Sequence, residues 1–193
     1  MSPTPSYSSL SNSDLLKKLI GVKQARKLYR GSLTPLFAAA SHDKDTPPER
    51  CLVARELVKR FIGEELQHGC VLTQPEAARD FLHIHFAGQD FESFLTLYLD
   101  TMNRLIAVEE LFRGTLSETA VYPREIARSA LRLNASSVIF AHNHPNHDSH
   151  PSLEDRAMTK LLTKALALID VAVHDHFIIA PNSTFSFAEK KYL

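Results

Sequence analysis

The stretch HNHPNHDSHPSLED, residues 142–155, constrains the fold of this chain more than any other part of it. It follows an apolar run, residues 138–141, that is typical of a buried strand, and it leads into a helical pattern beginning near Ser152. Side chains two apart on a strand lie on the same face, so His142 and His144 can present two imidazoles to one point. The pattern therefore predicts a strand, a polar loop and a helix that meet at a cluster of ligand-type side chains.

These residues indicate a metal site. Ten residues separate His144 from Asp155, which is enough for a loop that returns a carboxylate from the first turn of the helix. Two neutral imidazoles and one carboxylate suit zinc, which in catalytic sites keeps three protein ligands and an open position for water. A structural alternative stands beside this interpretation, because residues 152–155 also fit a helix-capping box, which gives Asp155 a role without a metal.

Composition bounds the remaining possibilities. The 193 residues suffice for one ordinary domain with a small appendage. Lys and Arg number 22, as do Asp and Glu, so the formal net charge is zero and the whole chain has no bulk attraction to nucleic acid. The sequence contains no run of eighteen apolar residues and no signal-peptide pattern at its beginning. We therefore expect a soluble, cytoplasmic protein with no membrane partner; its oligomeric state cannot be deduced from these features.

The periodicity predicts three regions. Residues 1–13 are rich in Ser and Pro and are expected to form a disordered tail, residues 14–68 a helical region, and residues 70–193 the main domain. In the main domain we predict strands at 92–100, 104–115, 137–142, 171–180 and 184–187, and helices at 123–133 and 152–168. This order gives an α/β fold with a mixed β-sheet flanked by helices.

A second His-x-His pair, His83 and His85, ends a segment with helical spacing that begins near residue 73. Residues two apart diverge on a helix, and no matching Ser and Asp follow this pair. We interpret it as structural.

Several motifs together resemble a known family. His142-x-His144, seven residues to Ser152 and two more to Asp155 look like the JAMM (MPN+, JAB) metallopeptidase motif. The surrounding sequence is closest to the RadC-like branch over roughly residues 70–190. The motifs that carry this likeness are Phe112-Arg113-Gly114-Thr115-Leu116, Tyr122-Pro123-Arg124-Glu125, Ala141-His142-Asn143-His144-Pro145, Pro151-Ser152 and Asp175-His176-Phe177-Ile178-Ile179.

The resemblance implies a JAMM/MPN sandwich of the cytidine-deaminase-like kind and a zinc-dependent hydrolase of peptide or isopeptide bonds. It implies that His142, His144 and Asp155 hold Zn²⁺, that a Glu acts as general base and that Ser152 donates a hydrogen bond to the developing oxyanion. Motif alignment favours Glu92 as the base. The competing acids are Glu109, Glu110 and Glu125.

Three further histidines near the motif have open roles. Asn146-His147 replaces a small Ser-Gly turn expected in the family, and Asp148 and His150 follow it. His147 and His150 could contact substrate, support the ligands, bind metal themselves or face water. His176 is expected to support the site through a hydrogen bond.

A DNA-associated function is the alternative, either as a metal-dependent nuclease or as a non-catalytic binding module. Longer RadC-like proteins are expected to carry a helix-hairpin-helix region before the metal domain, and residues 14–68 could be a degenerate remnant of it. A basic cluster there could make weak phosphate contacts: Lys17, Lys18, Lys23, Arg26, Lys27 and Arg30. The zero net charge favours the alternative, in which the same cluster is a solvated helix face. The expected partner of the hydrolase is a protein or peptide substrate.

Overall fold

The computed structural model describes residues 7, 10–31, 33, 36, 48–73, 75–113, 121–145 and 148–193. Within these ranges the helices are α1 (Asn12–Ile20), α2 (Val22–Leu28), α3 (Glu49–His68), α4 (Pro75–Phe86), α5 (Pro123–Leu133) and α6 (Leu153–Ala167). The strands are β1 (Ser93–Leu99), β2 (Leu105–Arg113), β3 (Ser137–Asn143), β4 (Ala172–Ala180) and β5 (Ser183–Ser186). Every predicted strand and helix of the main domain is present, so the predicted α/β fold is confirmed.

The five strands form one mixed sheet in the order β2-β1-β3-β4-β5. β3 and β4 are parallel, whereas the other neighbouring pairs are antiparallel. β1 and β2 form an antiparallel hairpin, with Asn103 at a positive φ of 56° in its turn. β3, the strand that precedes the His-x-His pair, is therefore central and fully buried, as its apolar sequence predicts.

Helices cover both faces of the sheet. On one face α3 and α4 pack against Leu97, Ile139 and Phe177. On the other face α5 and α6 pack against Phe94 and Phe140, and His142 lies two residues after Phe140 on β3. The metal-ligand candidates consequently lie at the edge of the second apolar core, on the α6 side of the sheet.

The start of β3 is fixed by the end of α5. Asn134 adopts a left-handed conformation, with φ 53° and ψ 40°, and its N–H bonds to the carbonyls of Ala130 and Leu131. The backbone therefore leaves the helix sharply and enters the centre of the sheet at Ser137. α5 begins at Pro123, where a missing backbone N–H has no cost.

The region before the main domain is helical in its described parts. α1 and α2 are joined by Gly21 at φ 85°, and their contacts with α3 enclose a small core that includes Leu16, Ala25 and Cys51. Most of the tail predicted at 1–13 lies outside the described residues, although α1 already begins at Asn12. No helix in the described ranges has the length and apolar character needed to span a membrane.

Candidate metal centre

Two elements bring the three ligand candidates together. His142 is on β3, with its side chain fully buried, and His144 follows the last residue of that strand, with its side chain 16% exposed. Asp155 is in the first turn of α6, with its side chain 2% exposed. The side chains predicted from the motif are therefore adjacent, and solvent reaches them on the His144 side.

Their donor atoms face one another at distances suited to a small cation. His142 Nε2 lies 3.0 Å from His144 Nε2 and 3.2 Å from Asp155 Oδ1, and His144 Nε2 lies 3.6 Å from Asp155 Oδ2. A tetrahedral zinc ion with arms of about 2.0–2.1 Å holds its donors about 3.3 Å apart. The donor set and its spacing fit zinc. Among the described residues, these three form the one cluster of His, Cys, Asp or Glu with converging ligand atoms.

The capping box positions Asp155 in a way that is compatible with a role as a metal ligand. Ser152 Oγ accepts a hydrogen bond from the Asp155 N–H at 3.0 Å, while the Ser152 N–H and hydroxyl both donate to Asp155 Oδ2, at 2.8 and 2.7 Å. Oδ2 is thus held by Ser152, and Oδ1 is directed towards His142. The two interpretations of residues 152–155 are therefore compatible, because the cap aims the carboxylate.

The tautomer of His144 follows from its partner. His144 Nδ1 lies 2.7 Å from the Asp148 carbonyl oxygen, which can only accept, so Nδ1 carries the proton. In the neutral ring, Nε2 then presents a lone pair to the cluster. Outer hydrogen bonds of this kind orient metal-binding histidines and increase their basicity.

His142 has a buried polar partner behind it. Its Nδ1 is 2.8 Å from His176 Nε2, and His176 Nδ1 is 2.6 Å from the Thr159 hydroxyl. Phe94 stacks on the His142 ring and Phe187 on the His176 ring. The supporting hydrogen bond expected of His176 is therefore present, in an apolar surrounding that excludes water.

Burial and charge act in opposite directions on the ionisable groups. Burial lowers the pKa of His142, against the effect of the Asp155 carboxylate. Burial also acts to lower the pKa of His144, but its bonds with Asp155 and Asp148 outweigh this and raise it. Burial alone would raise the pKa of Asp155, yet the two adjacent imidazoles, whose protonated forms favour the carboxylate, hold it well below its usual range. The carboxylate is anionic and favours positive charge at the point where the donors meet.

Glu92 lies next to this cluster. Phe94 on β1 is paired with His142 on β3, and Glu92 comes directly before the first residue of β1. In accord with this position, the charge of Glu92 acts to raise the pKa of both His142 and His144. The competing acid Glu109 pairs instead with Arg132, and Glu125 pairs with Arg128.

The remaining candidates lie differently. The Ser152 hydroxyl donates to Asp155, so its predicted role as an oxyanion donor stays a prediction. His150 has a side chain that is 80% exposed and pairs with Asp148, outside the cluster of converging donors. His147 lies outside the described residues.

Sequence reasoning missed Thr159. It lies four residues after Asp155, and therefore one helical turn further along the same face of α6, buried with 1% exposure. That spacing could have marked it as a neighbour of the site. Its contact with His176, by contrast, depends on how α6 packs against β4.

Comparison with known proteins identifies the family of the main domain. The chain matches the RadC-like JAB domain over residues 72–192. It is 52% identical over 170 residues to a UPF0758 protein of Janthinobacterium sp. (strain Marseille), covering 84% of this chain and 76% of the relative. A UPF0758 protein of Herminiimonas arsenicoxydans is 45% identical over the same shares, and one of Nitrosomonas eutropha is 42% identical over 88% of this chain and 80% of the relative. From the match across the whole main domain, the chain belongs to the RadC-like JAB domain family.

Proposed function

We propose that this protein is a zinc-dependent hydrolase of peptide or isopeptide bonds. The observation that carries the proposal is the convergence of His142 Nε2, His144 Nε2 and Asp155 Oδ1 at one partly accessible point. Two imidazoles separated by 3.0 Å and a buried carboxylate form a donor set that zinc prefers. A zinc ion held there would act as a Lewis acid that lowers the pKa of its bound water to about 7 and polarises a carbonyl.

Two residues of the protein, Glu92 and Ser152, have the remaining roles in the proposed reaction. Glu92 lies on the His144 side, where it takes a proton from the attacking water and returns it to the leaving amine. Ser152 holds Asp155 Oδ2 in the free protein. When negative charge develops on the oxygen of the scissile carbonyl, the Ser152 hydroxyl, which lies beside the ligand Asp155, turns towards that oxygen. It then stabilises the oxyanion by donating a hydrogen bond.

The site favours carbonyl chemistry over phosphodiester cleavage. Phosphodiester-cleaving enzymes often use two metal ions about 3.5–4 Å apart. The described residues hold one cluster of three donors, and the neighbouring His150, whose side chain is 80% exposed, is not part of it. One ion with a single neighbouring carboxylate suits attack of water on an amide.

The test combines metal analysis with a substrate screen. Purified protein is expected to contain about one zinc per chain and to cleave members of a peptide and isopeptide library. Chelation should abolish cleavage and added zinc should restore it, and the cleaved bonds would define the substrate class. Protein that binds zinc stoichiometrically but cleaves no amide or isopeptide bond would overturn the proposed activity.

A second candidate is weak contact with the DNA backbone. α1 and α2 form a tight hairpin at Gly21, and its exposed basic side chains include Lys23, Arg26 and Lys27. Such a surface could neutralise phosphates, and the resulting affinity would fall steeply between 50 and 200 mM salt. DNA retention at low salt that disappears when these three residues are changed to Gln would support the contact. Absence of retention at low salt would rule it out.

A further inference from the structure

A buried set of hydrogen bonds joins two of the metal-ligand candidates on the side facing away from solvent. It runs from His142 Nδ1 to His176 Nε2 at 2.8 Å, and from His176 Nδ1 to the Thr159 hydroxyl at 2.6 Å. The Thr159 hydroxyl in turn lies 2.6 Å from the backbone carbonyl oxygen of Asp155. His142, His176 and Thr159 are all at most 1% exposed.

The donor in each of these hydrogen bonds follows from the last acceptor, the Asp155 carbonyl oxygen. The Asp155 carbonyl can only accept, so the single Thr159 hydroxyl proton is donated to it. The Thr159 oxygen must then accept from His176, which places the His176 proton on Nδ1. His176 Nε2 is left as an acceptor, and His142 Nδ1 is therefore the donor between the two rings.

The consequence appears at the metal-facing nitrogen. With its proton on Nδ1, neutral His142 presents a bare lone pair at Nε2, 3.0 Å from His144 Nε2. The reverse orientation of the set would put a proton on His142 Nε2, which would then bond to Asp155 Oδ1 at 3.2 Å and block a metal ion. The Thr159 bond to the α6 backbone decides between the two orientations.

We propose that Thr159, acting through His176, is a positioning residue that fixes His142 in its metal-binding tautomer. The inference rests on the proposed metal role of His142, and it extends that role to two residues that touch neither metal nor substrate. Because Thr159 bonds to the backbone of Asp155, the same threonine also connects the β3 ligand to the α6 ligand. Loss of outer hydrogen bonds to metal-binding histidines typically lowers metal affinity by 10–100-fold.

The most direct test uses the unmodified, metal-free protein. Long-range ¹H–¹⁵N NMR correlations distinguish the Nδ1–H from the Nε2–H form of each histidine ring. We expect His142 and His176 both to be in the Nδ1–H form. An Nε2–H form of His142 in metal-free protein would overturn the proposal without reference to any variant.

Three variants then measure the effect on zinc. Thr159→Val keeps the shape and removes the hydroxyl, and we expect the zinc dissociation constant in a chelator competition to rise about 10–100-fold. Thr159→Ser keeps the hydroxyl and should restore most of the affinity. The control is Thr163→Val, because Thr163 lies one turn further along α6 and its hydroxyl bonds to the Thr159 carbonyl, at 2.9 Å, rather than to a histidine.

The outcomes separate this inference from the proposed function. If wild-type protein binds no zinc, the proposed function and this inference both fail. If wild-type protein binds zinc and Thr159→Val, folded as judged by circular dichroism, binds it equally well, only the role of Thr159 is wrong. Equal losses in Thr159→Val and Thr163→Val would assign the effect to helix packing and would also contradict the proposal.

Discussion

The described residues contain three His-x-His pairs, of which the pair at the end of β3 and the pair on α4 make quite different contacts. His142 and His144 leave the end of a strand, and their Nε2 atoms lie 3.0 Å apart. His83 and His85 are on α4, where His83 bonds to the Thr184 hydroxyl at 2.8 Å and His85 packs between the rings of Phe81 and Phe86. The same three-residue spacing therefore brings two ring nitrogens together on one backbone and gives two unrelated contacts on the other.

The difference shows that the period of the backbone decides what such a motif can do. Alternate side chains of a strand share a face, whereas residues two apart on a helix point in directions about 200° apart. The strand pair also has a carboxylate delivered by the capping box of the next helix. A His-x-His pair thus predicts a metal site only together with a strand before it and a returning acid after it.

The largest expected effect separates the two pairs directly. His144→Ala should reduce bound zinc from about one equivalent to a small fraction and abolish turnover, because it removes one of three ligands. His83→Ala should retain full zinc and lose only its bond to Thr184, at a cost of ~1 kcal/mol in the free energy of unfolding. Elemental analysis of both purified variants checks this. Zinc loss in His83→Ala would contradict the distinction between the pairs.

The next effect concerns the acid beside the strand pair. Glu92→Gln should retain zinc while turnover falls roughly 10²–10⁴-fold, since the amide cannot accept the proton of the attacking water. Glu110→Gln, an exposed change on β2, is the control and should leave turnover unchanged. Unchanged turnover in Glu92→Gln, measured on the same substrate, would place the general base at another residue.

A substitution at Ser152 tests whether this residue, which caps α6, also stabilises the oxyanion. Ser152→Ala should cost ~1 kcal/mol of stability by removing the cap and, through the oxyanion, lower turnover by roughly 10²–10³-fold. Ser11→Ala is matched to it, because Ser11 Oγ caps α1 by accepting from the Asp14 N–H at 3.1 Å. Thermal unfolding and kinetics of both variants should therefore agree in stability and differ in turnover. Equal turnover would limit Ser152 to capping.

The smallest expected effect concerns His85, the second histidine of the pair on α4. Burial, together with Lys59 and Arg55, lowers the pKa of His85 to about 4. The unfolded chain therefore binds a proton at higher pH than the folded one, and stability is lost as the pH falls from 6.5 towards 4.

The corresponding variant is His85→Gln. Between pH 6.5 and 4 its free energy of unfolding should fall by on the order of 2 kcal/mol less than that of the wild type. Urea unfolding at several pH values measures this difference. His150→Gln, a change on an exposed side chain, is the control and should follow the wild type. A His85→Gln profile parallel to that of the wild type would show that His85 is not the group responsible.

Local patterns were enough to predict the elements that carry the ligands. The predicted helix at 123–133 coincides with α5, and β3 and α6 begin and end within one residue of their predicted limits, because strand and helix periods and caps are encoded locally. His142, His144 and Asp155 could be grouped for the same reason. Strand alternation alone could not show which way Glu92 faces, since that depends on the pairing of Phe94 with His142.

The support behind the ligands could be predicted only in part. The motif suggested a hydrogen bond from His176, but its partner Thr159 is set by the parallel pairing of β3 with β4 and by the packing of α6 on both. These contacts join residues 34 and 17 positions apart, and no local pattern specifies them. Most of the basic side chains of the cluster at 17–30 lie on α1 and α2, and neither the sequence nor the fold specifies what they bind.

The central claim is that one strand end and one helix start hold a single metal ion. Crystals of the full chain grown with zinc, measured at the zinc absorption edge, test it most directly. The account predicts one strong anomalous peak within bonding distance of His142 Nε2, His144 Nε2 and an Asp155 carboxylate oxygen. No peak at this position, or a peak at His83 and His85 instead, would contradict it.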